Sequence, residues 1–408
     1  MATFPLPLTE LLGHYGSYIV YLLVGFSFGY VLEIAGFGNS KKLAAQFYFK
    51  DMTVIKVMFG AIVVAMVLIF GASALGLLDY NLIWVNPTYL WPGIVGGLIM
   101  GFGFIIGGFC PGTSLVGMAT GKLDGIFFVL GVLFGIFLFG ETVGSYDEWW
   151  NSSYMGRFTL PELFGLPTGV VVLGVILMAI FVFWGAEKLE QKFGDADPNE
   201  APKWRYPAAG LLILGAVFVL VLGQPTTADR WNTIEAEKSA LLTERAVQIH
   251  PAELLDNIHD PKIKVRMLDV RSEGDYNLFH IQDAERTPDV LSLVPELIEE
   301  PANTLFVVMS NDETAATEAW KQLQAESVPN VYILEGGINN WIATYTHDSF
   351  DPTYAPVDAP DDALKYSFPA ALGSSFAAAE PDPHLFELEY TPKVIMELKR
   401  APASGGCG

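Results

Sequence analysis

The sequence predicts a polytopic α-helical membrane protein followed by a soluble α/β domain. Apolar residues make up 51% of the 408 residues, and the mean hydropathy is +0.37, which is high for a soluble enzyme. Six segments are apolar over the roughly 20 residues that a bilayer-spanning helix requires. They cover approximately residues 15–37, 53–78, 88–108, 124–145, 166–186 and 206–223. After them the pattern changes to short apolar runs typical of buried strands.

The two parts of the chain differ in charge. Residues 1–223 carry 10 Lys and Arg against 14 Asp and Glu, whereas residues 224–408 carry 13 against 31. The net charges are therefore −4 and −18, which sum to −22. An acidic soluble part argues against nucleic acid and against anionic lipid head groups as partners. It favours solubility or a basic protein partner.

The basic residues between the spans predict the orientation in the membrane, because cytoplasmic loops are enriched in Lys and Arg. Nine of the ten basic residues in the membrane half alternate onto one side, and Arg157 is the exception. The nine are Lys41, Lys42, Lys50, Lys56, Lys122, Lys188, Lys192, Lys203 and Arg205. We therefore expect a multi-pass protein of a bacterial inner membrane with its C-terminal domain in the periplasm. The first segment has no basic lead, so we expect a span and not a cleaved signal peptide.

The membrane half, residues 1–223, contains an internal repeat. Residues 35–40 match residues 107–112 at an offset of 72, which predicts repeats at about 20–78 and 91–145. In each copy a glycine-rich apolar helix meets a break, and the helices at 166–186 and 206–223 are additional. Paired broken or re-entrant helices indicate a transport site near the bilayer midplane, because broken backbone there must be buried in protein or line a wet cavity. A tight cytoplasmic turn with packing glycines is the alternative.

The second break carries the more specific motif. It reads Gly107-Gly108-Phe109-Cys110-Pro111-Gly112-Thr113-Ser114, then Gly117, then Gly121-Lys122-Leu123-Asp124-Gly125. This motif resembles the signature of the YeeE/YedE sulfur-transport family, and the resemblance covers roughly residues 20–145. It implies an inner-membrane protein that takes up thiosulfate or a related sulfane-sulfur compound through a pore in which a cysteine contacts the substrate. The expected substrate-binding residues are Cys110, Gly108, Pro111, Gly112, Thr113, Ser114 and Lys122.

Cys110 is the expected pore cysteine, and its chemistry has three interpretations. A protonated thiol can donate a weak hydrogen bond to a passing sulfur oxyanion. A thiol activated by a helix N-terminus can attack a sulfane sulfur. A free cysteine can also serve only as a small buried apolar residue. Members of the family commonly have further pore cysteines, but Gly38 stands at the equivalent position of the first repeat, so a relay of several cysteines is not expected. Glu33, near the end of the first segment, could face the pore, pair with Lys122 or lie in interfacial water.

The soluble part divides into three predicted regions. Residues 224–245 form a polar, helical linker, and residues 246–348 form an α/β domain with strands at 265–270, 304–309 and 331–334 and a helix at Thr314–Ala325. Residues 349–408 form a proline-rich linker, a β-hairpin and a tail. The hairpin is expected from Leu385–Tyr390 and Lys393–Arg400.

The α/β domain contains a set of short motifs: Leu268-Asp269-Val270-Arg271-Ser272, Asp275-Tyr276, His280-Ile281, Leu334-Glu335-Gly336-Gly337-Ile338 and Trp341. In these residues the domain resembles rhodanese, a sulfurtransferase with a nucleophilic cysteine. The position of the catalytic cysteine is occupied by Ser310, and the anion-binding loop is replaced by residues 311–314. A serine hydroxyl cannot carry a persulfide, so we predict a domain without catalytic activity in which Asp269 and Arg271 stabilise the fold.

The C-terminal sequence Gly405-Gly406-Cys407-Gly408 resembles the glycine-flanked cysteine arm of the sulfur-carrier subunit of the periplasmic Sox thiosulfate-oxidation system. Cys407 is therefore the expected sulfur carrier, with periplasmic sulfur-oxidation proteins as possible partners. We predict a transporter for thiosulfate or a related compound and not an enzyme. The alternative is a membrane-anchored carrier or scaffold subunit of a sulfur-oxidation complex. No cofactor or metal is expected, because the six histidines are scattered and no His/Cys pair has ligand spacing.

Overall fold

The computed structural model describes residues 4–194, 203–346, 355–386 and 388–396. The chain forms two units, a helical unit that ends at Gln224 and a mixed α/β unit that begins at Pro225. The predicted fold class is confirmed, because the first unit contains membrane-length helices and the second contains a parallel sheet.

Six helices in the described part of the first unit are long and apolar enough to cross a membrane, which confirms the predicted number of spans. The first begins at Leu8, earlier than expected, and bends at Gly13. The six are α1 (Leu8–Ile34), α3 (Thr53–Ala74), α4 (Leu90–Gly107), α6 (Leu123–Thr142), α9 (Thr168–Phe193) and α10 (Arg205–Leu222). Between them lie the shorter helices α2 (Ser40–Ala45), α5 (Pro111–Ala119), α7 (Asp147–Trp150) and α8 (Leu160–Phe164).

The two expected repeats share one order of elements. In the first, α1 ends at a break, the short α2 follows, and α3 crosses back; in the second, α4, α5 and α6 follow the same order. Helices α3, α9 and α10 pack together through a separate apolar cluster of small and β-branched side chains. Most large apolar side chains of α1, α4 and α6 are exposed, as expected for helices that face lipid.

The α/β unit is built on a five-stranded parallel sheet with the strand order β1-β5-β4-β2-β3. The strands are β1 (Gln248–Ile249), β2 (Lys264–Asp269), β3 (Glu285–Arg286), β4 (Thr304–Met309) and β5 (Val331–Leu334). The helices are α11 (Thr227–Thr243), α12 (Pro251–His259), α13 (Glu273–Leu278), α14 (Val294–Glu299), α15 (Thr314–Ala325) and α16 (Gly337–Tyr345). The central strand β4 is buried at all six positions, so its continuous apolar sequence is covered on both faces.

The expected linker at 224–245 contains helix α11, which is part of the α/β unit. Its Trp231 ring lies edge-on to Trp320 at a centroid distance of 6.3 Å, and Arg230 forms an ion pair with Glu326. The sequence of α11 predicted a linker because it is mostly polar. Its packing depends on α15, which lies about 90 residues further along the chain.

The hairpin expected after residue 384 is not seen in the described residues, since 388–396 contain no strand. The backbone N–H groups of Lys393 and Val394 instead both donate to one carboxylate oxygen of Glu253, at 2.7 Å each. The short antiparallel pair of this region lies earlier, between β6 (Ala355–Pro356) and β7 (Tyr366–Ser367). Residues 397–408, which include Cys407, lie outside the described residues.

Candidate functional site

The two breaks in the membrane unit lie against each other. Helix α4 ends at Gly107, and Gly108 follows with a φ of +70°, donating its N–H to the Phe104 carbonyl at 2.8 Å. A Cβ atom at position 108 would lie 2.8 Å from the carbonyl oxygen of Ser40, which begins α2 in the first repeat. Only glycine therefore fits here, for both its backbone conformation and its contact.

Cys110 is the N-cap residue of α5, and Thr113 completes the cap. The Thr113 N–H donates to the Cys110 sulfur at 3.4 Å, and the Cys110 N–H donates to the Thr113 hydroxyl oxygen at 3.0 Å. Proline at 111 suits the first helical position, where a missing N–H costs nothing. The cap fixes the thiol at the N-terminal end of a helix, where the local field favours negative charge. Cys110 as a residue is partly exposed.

An aromatic residue within each break anchors it. Phe37 and Phe109 occupy equivalent repeat positions, are both fully buried, and belong to one apolar cluster with Leu32, Leu43 and Val54. The ring of Phe109 also lies edge-on to Phe128 of α6 at 5.8 Å. The two repeats therefore share a small common core beside the breaks.

Gly38, the first-repeat equivalent of Cys110, lies against the charged ends of two side chains. A Cβ atom there would lie 2.5 Å from a Glu33 carboxylate oxygen and 2.9 Å from the Lys122 ammonium nitrogen. Glu33 and Lys122 form an ion pair of 3.4 Å across the repeats, which agrees with one of the three positions considered for Glu33. A side chain at position 38 would therefore have to displace the ends of these two side chains and disturb their ion pair.

The predicted site residues fall into two groups. Gly108, Cys110, Pro111, Gly112 and Thr113 form the break and the cap. Ser114 and Lys122 form the second group, which makes no bond to the thiol among the described contacts. The Ser114 hydroxyl is fully buried and donates to the Pro111 carbonyl at 2.7 Å. Lys122 follows the other end of α5, where it pairs with Glu33. The sequence reasoning missed the bond from the Ser40 hydroxyl to the Asp124 carboxylate, at 2.5 Å. Both residues stand in the repeated motifs, but only their spatial proximity identifies the bond.

In the α/β unit, Ser310 follows β4 and is buried. Its hydroxyl oxygen accepts the N–H of Ala316 at 3.3 Å, at the start of α15. Asp269 and Arg271 form a buried ion pair of 2.6 Å, and Arg271 also donates to the Phe279 carbonyl at 2.8 Å. These contacts join the end of β2 to the segment that follows α13. No group of three metal-ligating side chains occurs among the described residues.

Comparison with known proteins identifies the two units. Residues 35–243, just over half of the 408 residues, match the family described as sulphur transport. The chain belongs to the sulphur transport family. Residues 250–344 match the rhodanese-like domain, so the expected pairing of a YeeE/YedE-type membrane domain with a rhodanese-like domain is confirmed. Membership of a transport family supports a role other than catalysis.

One relative of this member of the sulphur transport family is the thiosulfate transporter TsuA of Spirochaeta thermophila. The two are 24% identical over 219 residues, which is 48% of this chain. The match covers 62% of the relative, so this chain spans about three fifths of that protein's length. No solved structure matches the chain significantly.

Proposed function

We propose that the membrane unit carries thiosulfate or a related sulfane-sulfur compound across the bilayer, along a path that passes Cys110. The observation that carries this proposal is the joint between the repeats, where the partly exposed residue Cys110 caps α5. The relative named for thiosulfate transport supports the class of substrate. A sulfur oxyanion beside the thiol would also meet the N-terminal end of α5, which favours an anion.

The other site residues have distinct roles under this proposal. Gly108 and Gly112 leave the backbone open to the substrate, and Pro111 fixes the first turn of α5. Thr113 holds the cysteine sulfur in place through the reciprocal cap. Ser114 stabilises that turn from its buried side, and Lys122 supplies positive charge at the other end of α5.

Uptake of radiolabelled thiosulfate into vesicles tests this function. Replacement of Cys110 with serine should reduce uptake to the background of empty vesicles, because a hydroxyl supplies neither the size nor the nucleophilicity of the thiol. Cys407→Ser is the matched control, since it removes the other cysteine of the chain and leaves Cys110 in place. Normal uptake by the Cys110→Ser protein would contradict the role of this thiol.

We propose further that the protein lies in a bacterial inner membrane with its α/β unit in the periplasm. Contacts between loops support the alternation on which this topology rests. Lys56 at the start of α3 pairs with Glu190 near the end of α9 at 2.6 Å, and Arg157 donates to the Tyr80 carbonyl at 3.1 Å. The first pair joins two of the basic loops, and the second joins the two loops that are poor in basic residues.

Topology can be measured with the chain's own thiol. A Cys110→Ala variant retains Cys407 as its single cysteine. A membrane-impermeant maleimide should label it in cells whose outer membrane has been permeabilised, without disruption of the inner membrane. Labelling only after the inner membrane is opened would place the α/β unit in the cytoplasm.

We propose that Cys407 carries sulfur for periplasmic oxidation proteins and that the rhodanese-like domain is a non-catalytic scaffold. The motif around Cys407 and the serine at 310 support these roles. With thiosulfate as donor, the Cys407 thiolate attacks the sulfane sulfur, the S–S bond of thiosulfate breaks and sulfite leaves. The C-terminal peptide should then gain about 32 Da as a persulfide. The purified protein should show no thiosulfate–cyanide sulfurtransferase activity, and measurable turnover that Cys407→Ser leaves intact would overturn the scaffold role.

A further inference from the structure

The loop that connects β4 to α15 in the α/β unit holds a carboxylate from another part of the chain. Asp362, which lies in the segment between β6 and β7, accepts the N–H of Asp312 at 3.0 Å with one oxygen. Its second oxygen accepts the N–H of Ala315 at 3.1 Å. Both donors lie at the N-terminal end of the 12-residue helix α15, where backbone N–H groups have no partner within the helix.

The contact is reciprocal. The Asp312 carboxylate accepts the N–H of Thr314 at 2.7 Å and the N–H of Asp362 at 2.6 Å. Asp362 itself has a φ of +53°, a conformation that is uncommon for residues other than glycine, asparagine and aspartate. Aspartate is among the residues that adopt this left-handed conformation, and the bonds to the loop hold residue 362 in it.

Surrounding side chains hold the loop in the geometry that the carboxylate needs. Arg271 donates to the Asn311 amide oxygen at 3.3 Å, and the Asn311 amide nitrogen donates to the Asp362 carbonyl at 3.1 Å. Asn339 of α16 fixes the residues after Asp362, because it donates to the Ala363 carbonyl at 2.9 Å and accepts the N–H of Lys365 at 2.8 Å. The loop and the segment thus form a built site with a resident anion.

We propose that the loop 310–316 is a carboxylate-binding cradle and that Asp362 is its internal ligand. This ligand holds the segment 355–368 at the carboxyl end of β4, and it closes the cradle to other anions. The N-terminus of α15 supplies donors that favour an anion, and Asp312 and Asp275 beside the loop limit that anion to a single negative charge. A monocarboxylate is an anion and carries a single negative charge, so it suits the cradle. This proposal is independent of the proposed transport function.

Hydrogen–deuterium exchange of the full-length protein in nanodiscs tests the cradle. Asp362→Gly removes the carboxylate and tolerates the positive φ. Peptides that cover residues 310–317 and 355–368 should then exchange about tenfold faster, since local opening governs their protection. Formate at about 100 mM should restore much of the protection in the loop by mass action, and chloride at the same ionic strength should not.

Three comparisons make the result decisive. Asp361→Asn changes the exposed neighbouring carboxylate and should leave exchange unchanged. The β4 peptide, residues 304–309, should remain protected in every variant, which separates loss of the ligand from unfolding. If Asp362→Gly fails to fold, Asn339→Ala loosens the same segment without changing the cradle donors, and its exchange should rise in the 355–368 peptide first.

Two outcomes would overturn the proposal. In the first, the 310–317 peptide of the Asp362→Gly protein exchanges at the wild-type rate, which would show that the carboxylate does not hold the loop. In the second, formate protects the wild-type loop as strongly as it protects the variant loop, which would show that Asp362 does not occupy the anion position.

Discussion

The carbonyl oxygen of Ser40 in the first repeat lies 2.8 Å from the position that a Cβ atom at Gly108 of the second repeat would occupy. This contact holds the two breaks together, and it places the cap formed by Cys110 and Thr113 at the joint between the repeats. The joint is therefore built from main-chain proximity, which only small residues permit.

Gly108→Ala should destabilise the membrane unit and abolish uptake. The substitution combines a positive φ with a contact against the Ser40 backbone, and each effect costs on the order of 1–3 kcal/mol. Thermal unfolding in detergent and thiosulfate uptake measure the two consequences. Gly103→Ala in the middle of α4 is the matched control, because a Cβ atom there would meet no atom within 4 Å. Equal stability of the two variants would show that the breaks do not need this contact.

Gly38→Cys should destabilise the membrane unit about as little as loss of the ion pair beside it. The new Cβ atom would crowd only the ends of two flexible side chains, those of Glu33 and Lys122, which can move aside at the expense of their pair. Lys122→Met removes the same pair, whose side chains are 38% and 42% exposed, and an exposed pair contributes at most about 1 kcal/mol. We expect a small fall in melting temperature for both variants. A large fall for Gly38→Cys alone would show that the two side chains cannot move aside.

Arg271→Met should strongly destabilise the α/β unit. The side chains of Arg271 and Asp269 are 1% and 0% exposed, so removal of the cation leaves a buried carboxylate without its partner. Such a loss costs about 3–5 kcal/mol. Hydrogen exchange of the β4 peptide in the full-length protein gives the change in the free energy of opening. Lys321→Gln, which breaks an exposed pair with Glu318, should leave that exchange almost unchanged.

Acid should release the segment around Asp362, because the Asp312 carboxylate accepts the Asp362 N–H. Burial opposes ionisation of this carboxyl, but hydrogen bonds from the N–H groups of Thr314 and Asp362 outweigh it and hold the pKa of Asp312 below its usual value. The carboxylate therefore stabilises the fold above the unfolded-state pKa of about 3.9, and this contribution is lost as the pH falls through the lower folded-state pKa.

Exchange of the 355–368 peptide, corrected for the intrinsic pH dependence, should consequently rise only below about pH 4. Asp312→Asn should weaken that acid dependence. A release that begins near neutral pH would assign the transition to a different group.

Much of the architecture followed from patterns that are local in the chain. The six spans follow from apolar length, and the runs at 304–309 and 331–334 are strands in the structure because they are β-branched and continuously apolar. The region after residue 384, where alternation predicted a hairpin, depends on contacts that such patterns do not show. Among its described residues, the N–H groups of Lys393 and Val394 both donate to the buried Glu253, about 140 residues earlier in the sequence.

The sequence alone determined that a membrane unit with a repeated break precedes a rhodanese-like domain. It also predicted Cys110 as the candidate pore cysteine and placed a serine, Ser310, at the position of the rhodanese cysteine. The tertiary structure decided which distant groups meet: Ser40 with Gly108, Glu33 with Lys122, and Asp312 with Asp362. The physical reason is that hydropathy and backbone propensity act between neighbours in the chain, whereas a close contact or a hydrogen bond depends on how remote segments pack.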